Sequence, residues 1–155
     1  MPIAAAVEAG ADVIVVDHHK PGPELPPAFA VVNPNRQDES GDFASLAAVG
    51  VTYLLVIATN RILRETGWYS LNRIEPDLFE WLDLVALGTV CDVVPLTGLN
   101  RALVSQGLKM MASRRNAGIA ALADAGRLTG PPSSLDAGYI LGPRVNAGGR
   151  VGRAR

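Results

Sequence analysis

Val13-Ile14-Val15-Val16-Asp17-His18-His19 sets an apolar, β-branched run directly before an acid and the only two histidines of the chain. A continuous Val/Ile run suits a strand buried on both faces of a parallel sheet, and ligands of such sheets gather at the carboxyl ends of the strands. The stretch therefore predicts an α/β chain with a candidate site at Asp17, His18 and His19. Successive side chains leaving a strand point in different directions, so the two imidazoles are expected to do different work. One can turn to a metal and the other to substrate, while Asp17 fixes a ring's tautomer by accepting its second N–H. From these residues alone the alternative is a solvated turn in which the histidines take no part.

Upstream, Pro2–Ala9 is expected to be a short helix stopped by Gly10, followed by an Asp12–Val16 strand. A parallel crossover needs a strand before that helix, so the chain is expected to open in the middle of a βαβ unit. Downstream, Pro21-Gly22-Pro23 and Pro26-Pro27 impose an extended loop. Ala30-Val31-Val32 then gives a second strand ending at Asn33-Pro34-Asn35. Apolar residues from Phe43 to Thr66 recur at helical spacing, with Gly67 as the stop, and helical rhythm returns from Glu75 to Leu87. Asp77, Glu80 and Asp83, three residues apart, are expected to form a solvated stripe and not a metal box.

Leu87-Gly88-Thr89-Val90-Cys91-Asp92-Val93-Val94-Pro95-Leu96 holds one acid, Asp92, inside an apolar run. An ionised carboxylate is costly there unless it binds a cation or several donors, so Asp92 is either a metal ligand or a cap on backbone N–H groups. Three further helices are expected: Arg101–Ala112 capped by Asn100, Ala117–Ala125, and one capped by Ser134 that runs to Leu141. After Asp136 come four arginines and no acid. Arg144, Asn146 and Arg150, set among Gly and Pro, are the expected phosphate contacts, because arginine forks grip phosphate bidentately. Arg153 and Arg155 read as a basic tail.

Composition bounds the function. A chain of 155 residues with 48% hydrophobic content can build one sizeable core, and its net charge of −1 gives no global basic field for nucleic acid. The lone Cys91 excludes an intrachain disulfide and a cysteine-rich zinc site, and is expected to be an inert buried thiol. No stretch is apolar and long enough to span a bilayer, so a cytoplasmic protein without membrane association is expected. Aromatics make up only 5% of the chain, and Trp68, Tyr69 and Trp81 are expected in core or interface positions and not in base stacking.

Asp17-His18-His19, the Leu87–Leu96 run and Gly142-Pro143-Arg144-Val145-Asn146-Ala147-Gly148-Gly149-Arg150-Val151-Gly152, in this order, resemble the DHH phosphoesterases. Val32-Asn33-Pro34-Asn35, Gly50-Val51 and Asn100-Arg101-Ala102-Leu103-Val104 support the resemblance, which spans the whole chain. It implies a parallel-sheet domain that holds two Mn²⁺ or Mg²⁺ ions and hydrolyses single-stranded DNA from the 5′ end to mononucleotides. Carried over by residue, His18 and Asp92 would be ligands of one metal and Asp17 would support or join that shell. His19 would meet the scissile phosphate, and Arg144, Asn146 and Arg150 would hold DNA phosphates. Paired divalent ions suit in-line phosphodiester attack, and oxygen ligands mixed with imidazole suit Mn²⁺.

The family's first motif, an Asp-x-Asp, is absent from this sequence. The two-metal site is therefore expected to be incomplete, and the chain to be a partial DHH domain truncated at both ends. Its parts are a metal-site part over about 1–96 and a helical part over about 97–155. An unpaired edge on the first strand is expected to invite self-association, and the isolated chain to be marginally stable and at best weakly active. The alternatives are a DHH phosphodiesterase acting on short oligonucleotides or cyclic dinucleotides, and a segment that binds nucleic acid without cleaving it.

Overall fold

A computed structural model describes residues 2–148. Helix α1 (Pro2–Glu8) leads through Gly10, at φ +87°, into strand β1 (Ile14–Val16), which pairs in parallel with β2 (Ala30–Val32). The register sets Ile14 opposite Ala30 and Val16 opposite Val32, and the ladder extends to Asp17 N–H, which donates to Val32 O at 3.0 Å. The expected Asp12–Val16 strand is thus shorter, while the second strand has its expected bounds. Among the described residues the sheet has two strands, and Ile14 on β1 is 57% exposed.

Helix α2 runs Ala48–Glu65, five residues later than the spacing predicts at its start. The delay has a local cause: the carbonyls of Ala44, Ser45 and Leu46 are taken by side chains from elsewhere and are lost to helical N–H groups. Its end is as read, with Gly67 at φ +70° and the paired bonds from Gly67 N to Arg64 O and from Trp68 N to Leu63 O of a Schellman motif.

The expected helix over 75–87 is replaced by a 3₁₀ turn at Leu78–Trp81 and helix α3 at Leu82–Cys91. Pro76 keeps Glu75 extended, and the Asp77 side chain caps the turn by accepting from Phe79 N. Of the three acids expected in solvent, Asp77 and Glu80 are exposed but Asp83 is 2% exposed. Burial pushes its carboxyl up, against the pull of Leu84 N–H and the Asn116 amide.

Helix α3 is apolar on nearly all sides because it is the centre of the molecule. Leu82 and Val85 belong to one core cluster with Leu46, Val51, Tyr53 and Leu103; Leu87 belongs to another with Met111, Ile119, Ala123, Ala137 and Leu141. Helix α4 (Gly98–Ala112) crosses α3 at Gly107, where a Cβ would lie 2.1 Å from Leu82 O. Helix α4 begins a turn before the expected start, with Thr97 as N-cap, so Asn100 lies inside the first turn and does not cap it.

Helix α5 (Ala117–Ala125) has its expected bounds and is capped by Asn116. The next cap is Ser133 and not Ser134, because Ser133 and Asp136 form a reciprocal capping box. From there α6 (Ser134–Asp136) passes through a π turn at Ala137–Leu141 into α7 (Gly142–Gly148). The Gly/Pro segment around Arg144, to which the sequence reading assigned no element, is therefore helical. The widened turn accommodates Pro143, which lacks an N–H and would crowd the carbonyl four residues back.

Gly107→Ala should lower stability by about 3 kcal/mol, because neither backbone can yield at that crossing. Gly118→Ala, on α5 with only the Asn116 side chain at 3.4 Å, should be neutral or slightly stabilising. Urea denaturation of both variants checks this, and equal effects would contradict the close approach.

Candidate metal centre

The parallel ladder ends at Asp17, and the two histidines that follow it differ sharply in exposure. The His18 side chain is 14% exposed and turned inward, while that of His19 is 77% exposed. Their rings stand 4.4 Å apart between centroids at 58°. Asp17 Oδ1 accepts from His19 Nδ1 at 2.7 Å and from the backbone N–H groups of His18 at 2.7 Å and His19 at 3.2 Å. Burial raises the Asp17 carboxyl, but these hydrogen bonds outweigh it and hold the group below its usual range.

His18 Nδ1 lies 3.1 Å from Leu46 O. A carbonyl only accepts, so Nδ1 carries a proton, and in the neutral form of the ring the lone pair is at Nε2. That Nε2 faces Asp92 Oδ2 at 3.4 Å. Asp92 closes helix α3 as its C-cap, where the helix dipole is negative, and Val93 turns the chain away at φ +59°. Among the described residues no N–H group donates to the Asp92 carboxylate, so the capping alternative for Asp92 is not what forms. In the neutral form of the ring, this lone pair and the carboxylate face each other and repel unless a cation joins them.

The pair fits a divalent ion on these grounds. Two ligands about 2.1 Å from one ion are about 3.0–3.4 Å from each other, and imidazole with carboxylate is a donor set for Mn²⁺ or Mg²⁺. The ring's second nitrogen is bonded to a carbonyl, as ligating histidines usually are. Among the described residues, no group of three or more His, Cys, Asp or Glu side chains gathers around a common point.

Arg144 and Asn146 lie on α7 and are exposed, and Arg144 Nη1 donates to Ile140 O at 2.7 Å. Helix α7 starts against the end of α3: a Cβ on Gly142 would lie 2.4 Å from Cys91 Sγ, in the residue before Asp92. Arg150, with Arg153 and Arg155, lies outside the described residues. Burial pushes the Cys91 thiol up, away from the thiolate a nucleophile needs, and Trp68 lies under Arg73, 3.9 Å from guanidinium carbon to ring centroid.

Sequence reading gave Asn33 and Asn35 no role in the site and took Asn100 for a helix cap, yet all three hold this site. Asn33 Nδ2 donates to His19 O at 2.8 Å, Asn35 Nδ2 to His18 O at 2.6 Å, and Asn100 Nδ2 to Ser45 O at 2.7 Å and Pro95 O at 3.0 Å. The signal available was chemical: asparagines beside proline at a strand end bring amide donors next to turning backbone. Among the described residues, no helix is long and apolar enough to cross a membrane.

The DHH family, N-terminal domain model matches residues 2–89. The chain is 48% identical over 145 residues to the single-stranded-DNA-specific exonuclease RecJ of Escherichia coli, covering 92% of this chain and 25% of that protein. It is 36% identical over 148 residues to the RecJ of Thermus thermophilus, covering 96% of this chain and 20% of that one. A crystal structure of exonuclease RecJ bound to manganese superposes with a TM-score of 0.76 at 34% identity, covering 97% of this chain and 35% of that chain. A second, of RecJ in complex with Mn²⁺ from Thermus thermophilus, gives 0.74 at 35% identity, covering 96% and 21%. The chain spans about a quarter of the length of the first of these curated relatives.

Asp17 should contribute to stability above pH 3.8, its ordinary value, and lose that contribution as pH falls through its depressed folded value. Asp17→Asn should therefore lower the urea midpoint at neutral pH and flatten its decline on the acid side. An unchanged acid limb in the variant would contradict the hydrogen-bond assignment.

Proposed function

This chain belongs to the DHH family, and from that membership we propose that it forms part of the catalytic domain of a metal-dependent exonuclease hydrolysing the phosphodiesters of single-stranded DNA in the 5′→3′ direction. The observation that carries the reading is His18, locked by Leu46 O so that its free nitrogen faces Asp92 at 3.4 Å. The similarity to single-stranded-DNA exonucleases at 36% and 48% identity supports the substrate class over short oligonucleotides or cyclic dinucleotides.

In this reading His18 and Asp92 hold one divalent ion, Mn²⁺ or Mg²⁺, which when bound supplies an activated water and neutralises charge developing on the phosphodiester. Asp17 acts through His19. It accepts hydrogen bonds from His19 Nδ1 and from the two N–H groups of the turn, and so aims Nε2 of the exposed ring outward, where it meets the scissile phosphate. Its Oδ2 stays available to join the metal shell. Arg144 and Asn146 on α7, and Arg150 beyond it, hold DNA phosphates.

We divide the domain into a metal-site part over about 1–96 and a helical phosphate-binding part over about 97–155. Helix α3 packs in both core clusters and joins the two. The proposal includes a cytoplasmic location and self-association through the outer edge of β1, supported by the exposed Ile14. A second reading, DNA binding by this segment without cleavage, has one observation in its favour. Among the described residues, the ligating side chains come together as a pair and not as a group of three.

The experiment is release of nucleotides from 5′-phosphorylated single-stranded DNA with Mn²⁺, against a chelator. Placed in the full-length protein, His18→Ala and Asp92→Ala should abolish release while leaving most DNA affinity. Arg144→Ala should weaken binding and lower the slope of log affinity against log salt by about one. Normal metal-dependent turnover in His18→Ala would remove the site assignment. Salt-sensitive binding without turnover in the unsubstituted chain would favour the second reading.

A further inference from the structure

Three consecutive peptide carbonyls, those of Ala44, Ser45 and Leu46, each accept a hydrogen bond from a side chain of a different segment. Asn35 Nδ2, just after β2, donates to Ala44 O at 3.1 Å; Asn100 Nδ2, in the first turn of α4, donates to Ser45 O at 2.7 Å; His18 Nδ1, just after β1, donates to Leu46 O at 3.1 Å. Each asparagine holds a second carbonyl. Asn35 also donates to His18 O at 2.6 Å, and Asn100 to Pro95 O at 3.0 Å, three residues past Asp92. The short segment is thereby tied on one side to the residue that carries the imidazole and on the other to the loop that follows the carboxylate.

We infer that Ala44–Leu46 is a strap that sets the approach of His18 to Asp92, and that Asn35 and Asn100 are positioning residues of this pair. The inference deepens the proposed function and rests on its reading of the pair as metal-holding. If the Leu46 peptide rotated, His18 Nδ1 would lose its acceptor and the ring could take the other tautomer. An Nε2 proton would then point at Asp92 and bond to it directly, closing the pair to a metal ion. The strap keeps that proton on the far side of the ring.

Space filling alone does not explain Asn100. Its side chain is 1% exposed, and its Oδ1 has no partner among the described residues. An apolar side chain of the same shape would fill the site without burying an unpaired acceptor. What the amide adds is two donors directed at carbonyls of two separate segments, one leading to His18 and one coming from Asp92.

The test uses the ¹⁵N-labelled chain without metal, at a pH where the His18 ring is neutral. Long-range ¹H–¹⁵N spectra read the ring's tautomer, and broadening of its resonances by added Mn²⁺ reads metal affinity. Asn100→Leu and Asn35→Ala are compared with Met111→Ala, which removes a residue 2% exposed in the other core cluster and leaves the strap untouched. The unsubstituted chain and Met111→Ala should show the Nδ1-protonated ring. Both strap variants should show mixed tautomers and Mn²⁺ affinity weaker by about 10- to 100-fold. If Asn100→Leu does not fold, Asn35→Ala, at a half-buried position, decides the matter alone. A single tautomer and unchanged Mn²⁺ affinity in a folded strap variant would overturn the inference. Mixed tautomers in the variants, with no Mn²⁺ binding to the unsubstituted chain, would support the strap while removing the metal reading of the pair.

Discussion

The hydrogen bond from His18 Nδ1 to the Leu46 carbonyl is where the sheet, the first long helix and the candidate site meet. It fixes which imidazole nitrogen is free and turns the ring inward. It also withdraws from α2 a carbonyl that the helix would otherwise use, which helps to set where that helix begins. One interaction thus couples the protonation state of a side chain to the boundary of a secondary structure element. Local helix propensity gives way here because the donor is a ring held at the end of a parallel ladder.

Asp92 gains its character from the opposite circumstance. It ends a helix that is buried nearly throughout, at the pole where a negative charge is least welcome, and no N–H group among the described residues offsets this. A left-handed Val93, 87% exposed, then carries the chain out. Left-handed backbone at a β-branched residue is costly, and such conformations persist where the surroundings hold them. Helix end, carboxylate and strained exit together place a negative group toward the one ring nitrogen that is free to share a cation with it.

Much of this was legible in the sequence because it depends on period and composition. The Val/Ile run gave the strand, Ala30–Val32 gave its partner, and Gly67 and Ala117–Ala125 fell as their residues dictate. The resemblance to the DHH phosphoesterases singled out His18 and Asp92, and the structure brings these two together. What escaped was decided by long-range polar contacts. Asp83 belongs by spacing to a solvated stripe, yet it is buried at the start of α3 beside the Asn116 amide. Asn100 looks like a cap, but the chain enters α4 a turn earlier and the side chain serves two distant carbonyls. The helix expected to end at Leu141 instead continues through Arg144, because a π turn absorbs the proline.

Because α3 packs in both core clusters, it cannot open without disturbing either, and its central amides should exchange with solvent only when the whole chain unfolds. Among the described residues helix α1 has none buried and β1 belongs to a sheet of two strands, so these elements open at far smaller free energy. The two halves of the candidate site therefore sit on opposite rungs of the molecule's stability ladder, the carboxylate on the most protected element and the imidazole beside the least. A cation shared between them would lend the durability of the core to the sheet edge, and occupancy of the site would be felt as protection of residues that never touch the ion.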